Sequence, residues 1–338
     1  MAALPFVIAM ALAIILLAMI LHKKHAETGP GESVLPTITP KIFGLPLGPD
    51  VKVMVLLAGW PDNHGVWKHQ IEEFQHEYHI VSISSPDHDR SALRKPWGYS
   101  LTEVPRMISN CVKTHLGDRK VDLLITHDWG ALWGYYVLEQ WSGVSGGTKR
   151  AVGRLVAVDI GASPHDDPSL PSDIDGVTLA TPYSAPYQLL LASIFALGSG
   201  LSSPLAAFIS HHSWPLEPLV SPMDPSFDWA TEAPRPQAEV EWWFGYPYYY
   251  IWRNRAMDTI HYYTTYFGSP VPPPLFPKVP TLFLYGAKKR TMFHSEAFTD
   301  RLGATAGCRV QKYDAGHWLM YTEPARFNKD VRAFVAER

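Results

Sequence analysis

The chain has 338 residues, 46% hydrophobic and 18% charged: long enough for one large catalytic domain with an insertion, and too apolar for intrinsic disorder. Its net charge of −3 provides no basic stripe to follow a phosphate backbone, so nucleic acid is excluded as a partner and a small molecule is expected. The two cysteines, Cys111 and Cys308, fall in segments of different character and are read as buried free thiols, not a disulfide framework.

The first strong feature is the uncharged run Ala2 to Leu21, which as a helix spans about 30 Å of hydrocarbon. No basic residue precedes it and no small-residue cleavage site follows it, so a transmembrane anchor over residues 1–25 is expected rather than a signal peptide. His22-Lys23-Lys24-His25 follows the run, which puts the body on the cytosolic side of an endoplasmic reticulum or other organelle membrane. A Gly/Pro-rich linker over 26–50 comes next.

Beyond the linker, short aliphatic runs alternate with helical periodicity. Strands are expected at 51–57, 79–84, 121–126 and 154–159, with helices at 67–76, 101–116 and 131–141 between them. That alternation predicts a mostly parallel sheet flanked by helices, the first part of the core being 51–162. Alternation stops over about 163–277, where many of the 30 prolines and 12 tryptophans gather, and a helical cap inserted into the fold is expected there. It includes Trp242-Trp243-Phe244, Tyr246-Pro247-Tyr248-Tyr249-Tyr250 and the stiff return Pro270 to Pro274. The core resumes over 278–338, with strands at 281–285 and 310–313 and helices at 295–302 and 324–336.

One segment carries the chemistry. Leu123-Leu124-Ile125-Thr126-His127-Asp128-Trp129-Gly130-Ala131 runs a hydrophobic strand into a helix through a polar residue with small neighbours, the arrangement of a nucleophile elbow. Small neighbours are needed because the nucleophile's backbone is strained and the helix start crowds the strand. Here that position is an aspartate. The competing Gly143-Val144-Ser145-Gly146-Gly147 spells G-x-S-x-G, but no strand precedes it and Thr148-Lys149-Arg150 follow, so it is read as a loop.

Thr126-His127-Asp128-Trp129-Gly130 resembles the epoxide hydrolase and haloalkane dehalogenase branch of the α/β-hydrolases. Gly59-Trp60-Pro61-Asp62 with Trp67-Lys68-His69-Gln70-Ile71 is similar to that family's oxyanion segment, and Ala315-Gly316-His317-Trp318 to its terminal histidine loop. The resemblance covers about residues 50–338. It implies an α/β-hydrolase fold, a nucleophilic Asp128 that forms a covalent ester, and His317 as the base that activates water. It also implies an oxyanion site at the Trp60 and Trp129 amides. No cofactor is implied.

The resemblance places a third, acidic residue after the strand at 281–285, but this sequence has Gly286-Ala287-Lys288-Lys289-Arg290 there. Asp159, at the end of the strand 154–159, is the alternative acid; the other reading of Asp159 is a strand cap beside an incomplete triad. Family members hold the epoxide oxygen with two cap tyrosines. Tyr187 resembles the first; at the second, Trp252 precedes Arg253-Asn254, with Tyr250 two residues earlier as a substitute. An indole N–H donates a hydrogen bond but does not give up its proton, so Trp252 with Trp129 suggests instead a halide cradle. Dehalogenation and ester hydrolysis are therefore second readings.

His76-x-x-His79 and His211-His212 lack the accompanying ligands of a metal site, and no metal is expected. The rival from another class is a degenerate hydrolase acting as a structural subunit of a membrane protein complex. Lys288-Lys289, Ala58 where the family has His, and Thr126 where Gly is usual all support it. The first reading is a membrane-anchored hydrolase of an apolar small molecule, such as an epoxide, that partitions from the bilayer.

Overall fold

The computed structural model describes residues 13, 22, 35–89, 95–143, 149–166, 184–210, 233–254, 275–289 and 292–337. The apolar run 2–21, Ser145, His211-His212, Arg290 and the return segment 270–274 lie outside the described residues. Among the described residues no helix is long and apolar enough to cross a membrane. Cys111 and Cys308 are free.

Seven strands form one sheet: β1 (Lys41–Gly44), β2 (Lys52–Leu57), β3 (Tyr78–Ile83), β4 (Val121–His127), β5 (Val152–Val158), β6 (Thr281–Gly286) and β7 (Arg309–Tyr313). Their order is β1-β3-β2-β4-β5-β6-β7, with every pairing parallel except β1 against β3. The central strands are covered on both faces, which is why Val53 to Leu57 and Leu123 to Ile125 are continuous apolar runs with no polar alternation.

β1 falls inside the stretch read as linker. Its four residues, three exposed and one half-exposed, leave no periodic signal, and the strand exists because β3 offers an unpaired edge. It ends at Gly44, whose φ of +76° and 2.2 Å approach of a built Cβ to the Tyr78 carbonyl admit no side chain.

The core helices are α1 (Lys68–Phe74), α2 (Glu103–Leu116) and α3 (Trp129–Trp141). α2 begins two residues later than the sequence suggested. Ser100 and Glu103 form a capping box, the Glu103 amide donating to Ser100 Oγ at 3.2 Å and the Ser100 amide to Glu103 Oε2 at 2.8 Å. Between β5 and β6 the described chain is helical: α4 (Ser184–Gly200), α5 (Ser203–Phe208), short 3₁₀ turns at Gln237–Glu239 and Trp242–Gly245, and a helical stretch at 246–254. The chain closes with α6 (Glu296–Ala304), the short α7 (Leu319–Thr322) and α8 (Pro324–Ala336).

Candidate active site

Asp128 follows β4 and caps α3. Its φ of 54° and ψ of −127° put a non-glycine residue in strained backbone, at a cost of about 1–3 kcal/mol. Glycines make room for it. A Cβ on Gly130 would lie 2.3 Å from the Leu57 carbonyl, and one on Gly59 would lie 2.6 Å from Asp128 Oδ1. Thr126, which differs from the family's usual glycine, fits because α3 presents Gly134 to its methyl group.

The carboxylate so exposed is held from two sides. The Trp60 amide donates to Oδ1 at 2.7 Å, the Trp129 amide adds a second backbone hydrogen bond, and His317 Nε2 stands 3.5 Å from Oδ2. Burial pushes the carboxyl upward, but His317 and the amides outweigh it and hold Asp128 ionised, below the usual range.

His317 is brought over the sheet by a close backbone approach. A Cβ on Gly286 would sit 1.9 Å from the Gly316 carbonyl, so only glycine at the end of β6 lets the histidine loop descend. The Lys288 amide donates to the Ala315 carbonyl at 3.1 Å. His317 Nδ1 donates to Asp159 Oδ2. Burial disfavours the imidazolium, yet the Asp159 and Asp128 charges raise it to about 9.

Asp159 ends β5 with φ 72° and is fully buried. Its Oδ1 accepts from the Gly286 amide at 3.2 Å and from the Lys289 ammonium. Burial would raise this carboxyl; Lys289 and His317 overcome it and hold Asp159 ionised. The structure thus brings Asp128, His317 and Asp159 into one chain of contacts, and adds Lys289 to its far end.

Two residues not singled out in the sequence complete the inner ring. His127 Nε2–H donates to the His317 carbonyl at 3.1 Å, and burial lowers this imidazole to about 3, so it stays neutral. The Trp318 indole donates to Asp62 Oδ2 at 2.7 Å, while burial raises the Asp62 carboxyl to about 7. Both residues lie inside motifs already recognised, His127 beside Asp128 and Asp62 beside Trp60, but nothing in the spelling tells which neighbours turn inward.

On the cap side the expectation divides. Tyr187 is buried, feels the Asp128 charge, and hydrogen-bonds Tyr248. Tyr248, not Tyr250, meets the site: its ring packs edge-on against Tyr187 at 5.7 Å, Trp60 at 5.4 Å and Trp129 at 5.3 Å. The Tyr250 ring instead packs on Tyr249 and His22, with Arg253 over it, and Trp252 lies among the half-buried residues bordering the core. The difference is helical phase. Residues 246–254 are helical, so Tyr248 and Tyr250, two apart, face in different directions. Among the described residues no cluster of three or more His, Cys, Asp or Glu could hold a metal ion.

A mostly parallel sheet with a strained aspartate after β4, a histidine on the loop after β7 and helices inserted between β5 and β6 is an alpha/beta hydrolase arrangement. The chain belongs to the alpha/beta hydrolase fold family, which it matches over residues 52–324. Mouse epoxide hydrolase 3 is 28% identical over 89 residues, 23% of this chain and 21% of that protein. A mutant epoxide hydrolase from Bacillus megaterium superposes with TM-score 0.58 at 14% identity, covering 89% of this chain and 97% of that one. The alpha/beta hydrolase MGS-M2, from a deep-sea metagenome library, gives 0.55 at 15% identity, with 91% and 97% covered. A mutant potato epoxide hydrolase gives 0.53 at 16%, with 88% and 99% covered. These structures are alike in fold, and the family membership supports a hydrolase.

Proposed function

We propose that the chain hydrolyses an epoxide of an apolar molecule through an ester on Asp128. The observation that supports this most is that the Asp128 charge is felt by the buried Tyr187 and Tyr248 phenols, which hydrogen-bond each other. Burial keeps both phenols protonated at neutral pH, and Asp128 is held ionised. A nucleophile facing hydroxyl donors is what ring opening needs. The likeness to mouse epoxide hydrolase 3 and to the Bacillus megaterium epoxide hydrolase is consistent with it.

In the first step Asp128 Oδ2 attacks an epoxide carbon, the carbon–oxygen bond of the ring breaks, and the freed oxygen takes a proton from the tyrosine pair. In the second, His317 takes a proton from water and the hydroxide adds to the ester carbon of Asp128. The oxyanion that forms at Oδ1 meets the Trp60 and Trp129 amides. The ester bond breaks, the departing alkoxide takes the proton from His317, and the new Asp128 carboxyl returns one to the tyrosine. The sum is epoxide plus water to diol.

Ester formation also switches the base on. Asp128 is one of the two charges that keep His317 protonated, and the ester removes it. His317 then falls toward its ordinary range, releases its proton to solvent and becomes a proton acceptor, and it is protonated again from solvent once the Asp128 carboxylate is restored. The run 2–21 supports a membrane anchor from whose bilayer an apolar substrate would reach the cleft; deletion of residues 1–25 should release the protein from membranes that survive a carbonate wash.

Incubation with a slow, mechanism-based epoxide followed by peptide mass spectrometry tests the proposal. An adduct on the peptide carrying Asp128, hydrolysed in time and absent from Asp128→Asn, is the expected result. A folded protein that forms no adduct with any of a panel of apolar epoxides overturns it. The non-catalytic reading, to which the Lys289 contact lends support, would then be the better one.

A further inference from the structure

Lys289 stands where a sequence reading finds only a missing acid. Its side chain is 3% exposed, its ammonium contacts Asp159 Oδ1, and it lies 5.1 Å from the centre of the Phe293 ring. A buried lysine on a surface-reaching loop has an alternative in water, so its burial needs a carboxylate that repays the desolvation. Asp159 is that carboxylate, and it is already the partner of His317. One buried carboxylate therefore serves two cations, with Gly286 N–H fixing the oxygen that Lys289 uses.

We propose that Lys289 is a positioning residue of this site: it locks the Asp159 carboxylate with Oδ2 turned to His317, and by balancing its charge it limits how strongly Asp159 keeps a proton on the imidazole. The inference rests on the reading of Asp128, His317 and Asp159 as one hydrolytic site. Asp159 without a counter-ion would favour the imidazolium more strongly after the Asp128 charge has gone into the ester, leaving a smaller fraction of His317 as free base near neutrality. Asp159 with Lys289 keeps the orientation and gives up part of that hold.

The charges that face His317 are Asp159 from the end of β5, Asp128 and His127 from the end of β4, and Asp62 from the loop after β2. Behind Asp159 stand Lys289 and His294. His127 and His294 are both pushed below their ordinary values by burial, to about 3 and about 4, so they carry no charge near neutrality. Lys289 is thus the basic side chain in this group that opposes Asp159 without depending on the state of the reaction.

The test is the His317 ring titration, followed by NMR in the Asp128→Asn background, where position 128 is neutral as it is in the ester. Lys289→Met and Lys289→Gln should each raise the midpoint by about one pH unit, and Lys289→Arg should leave it in place. In the chain with Asp128 intact, the acid limb of adduct hydrolysis should move up by the same amount. An unmoved midpoint in the folded Met and Gln variants overturns the proposal, as does a Gln variant that behaves like Arg, since hydrogen bonding alone would then suffice. Should neither variant fold, side-chain NMR of the unaltered chain decides: the Lys289 Nζ hydrogens must exchange slowly because they are held against Asp159, and a freely exchanging Nζ overturns the proposal. The titration does not depend on turnover, so absence of any epoxide adduct would refute the hydrolase reading while leaving the midpoint shift to be judged by itself.

Discussion

The two walls of the cleft are built from different materials. On the sheet side, Asp128, His317, Asp159 and Lys289 are joined end to end by charge-assisted contacts, and glycines with no room for a Cβ fix where Asp128 and the His317 loop stand. On the opposite side, Tyr187 and Tyr248, which lie between β5 and β6, meet each other and the core's Trp60 and Trp129 rings edge to face, at centroid distances of 5.3 to 5.7 Å, with hydroxyl and indole hydrogen bonds among them. A charge network depends steeply on position and on each member's ionisation, whereas an aromatic wall is held by packing and tolerates small shifts. The charged groups thus sit on core elements, and the aromatic wall is the one expected to tolerate small shifts.

The largest effect should come from the sheet side. Asp159→Asn removes the charge that orients His317, and ester hydrolysis should slow by about 10⁴-fold while ester formation continues. It also strands the buried Lys289, so the melting temperature should fall. Adding Lys289→Met should restore the melting temperature but not hydrolysis. A double variant that regains hydrolysis would break the comparison, because the network would then be only structural.

The same network should set how stability depends on pH. His317 is raised from 6.5 to about 9, so its contribution is fully present below pH 6.5 and is lost as pH rises through 9. Thermal or urea unfolding from pH 6 to 10 should show a loss of up to about 3 kcal/mol, smaller in Asp128→Asn. Asp128 and Asp159 are both held below their ordinary values, so they add stability that disappears on acidification, below about pH 4. A flat profile between pH 6 and 10 would mean that the imidazole is not held as an ion.

Much of the sheet side was legible in the sequence and much of the cap side was not, for physical reasons. A buried parallel strand must be an unbroken apolar run, and an elbow must carry small residues around its polar one; both constraints write themselves into Leu123 to Ala131. The Lys289–Asp159 contact does not. It joins residues from two strand ends, and only the fold tells that Lys289 turns inward and not to solvent. β1 was invisible because a neighbouring edge, and no pattern of its own, makes it a strand. Between β5 and β6, the four tyrosines between 246 and 250 look alike in the sequence, and choosing Tyr248 over Tyr250 needs the phase of the helix that carries them.

On the cap side, that choice can be tested directly. Tyr248→Phe and Tyr187→Phe each remove a hydroxyl and keep the ring, and each should lower the rate of ester formation by about 10²-fold. Tyr250→Phe should have little effect on that step. If Tyr250→Phe is the damaging change, the wall has another face than the one described, and the second hydroxyl reaches the site from a different turn.

The smallest effect sharpens the contrast most. α4 passes Trp242 at Gly198, where a built Cβ would lie 2.4 Å from two atoms of the indole ring. Gly198→Ala gains helix propensity worth about 1 kcal/mol, but it pushes α4 off a buried ring at a cost of about 1–3 kcal/mol. The net loss should be about 1 kcal/mol. It should be confined to the cap, since Gly198 and Trp242 both lie between β5 and β6 and neither touches the Asp159 network. Hydrogen exchange should therefore quicken in residues 184–210 and 233–254 and stay unchanged in β4, β5 and β6. Equal quickening in the central strands would show that the cap and the sheet unfold as one unit, and the division of the cleft into a rigid wall and an adaptable one would fail.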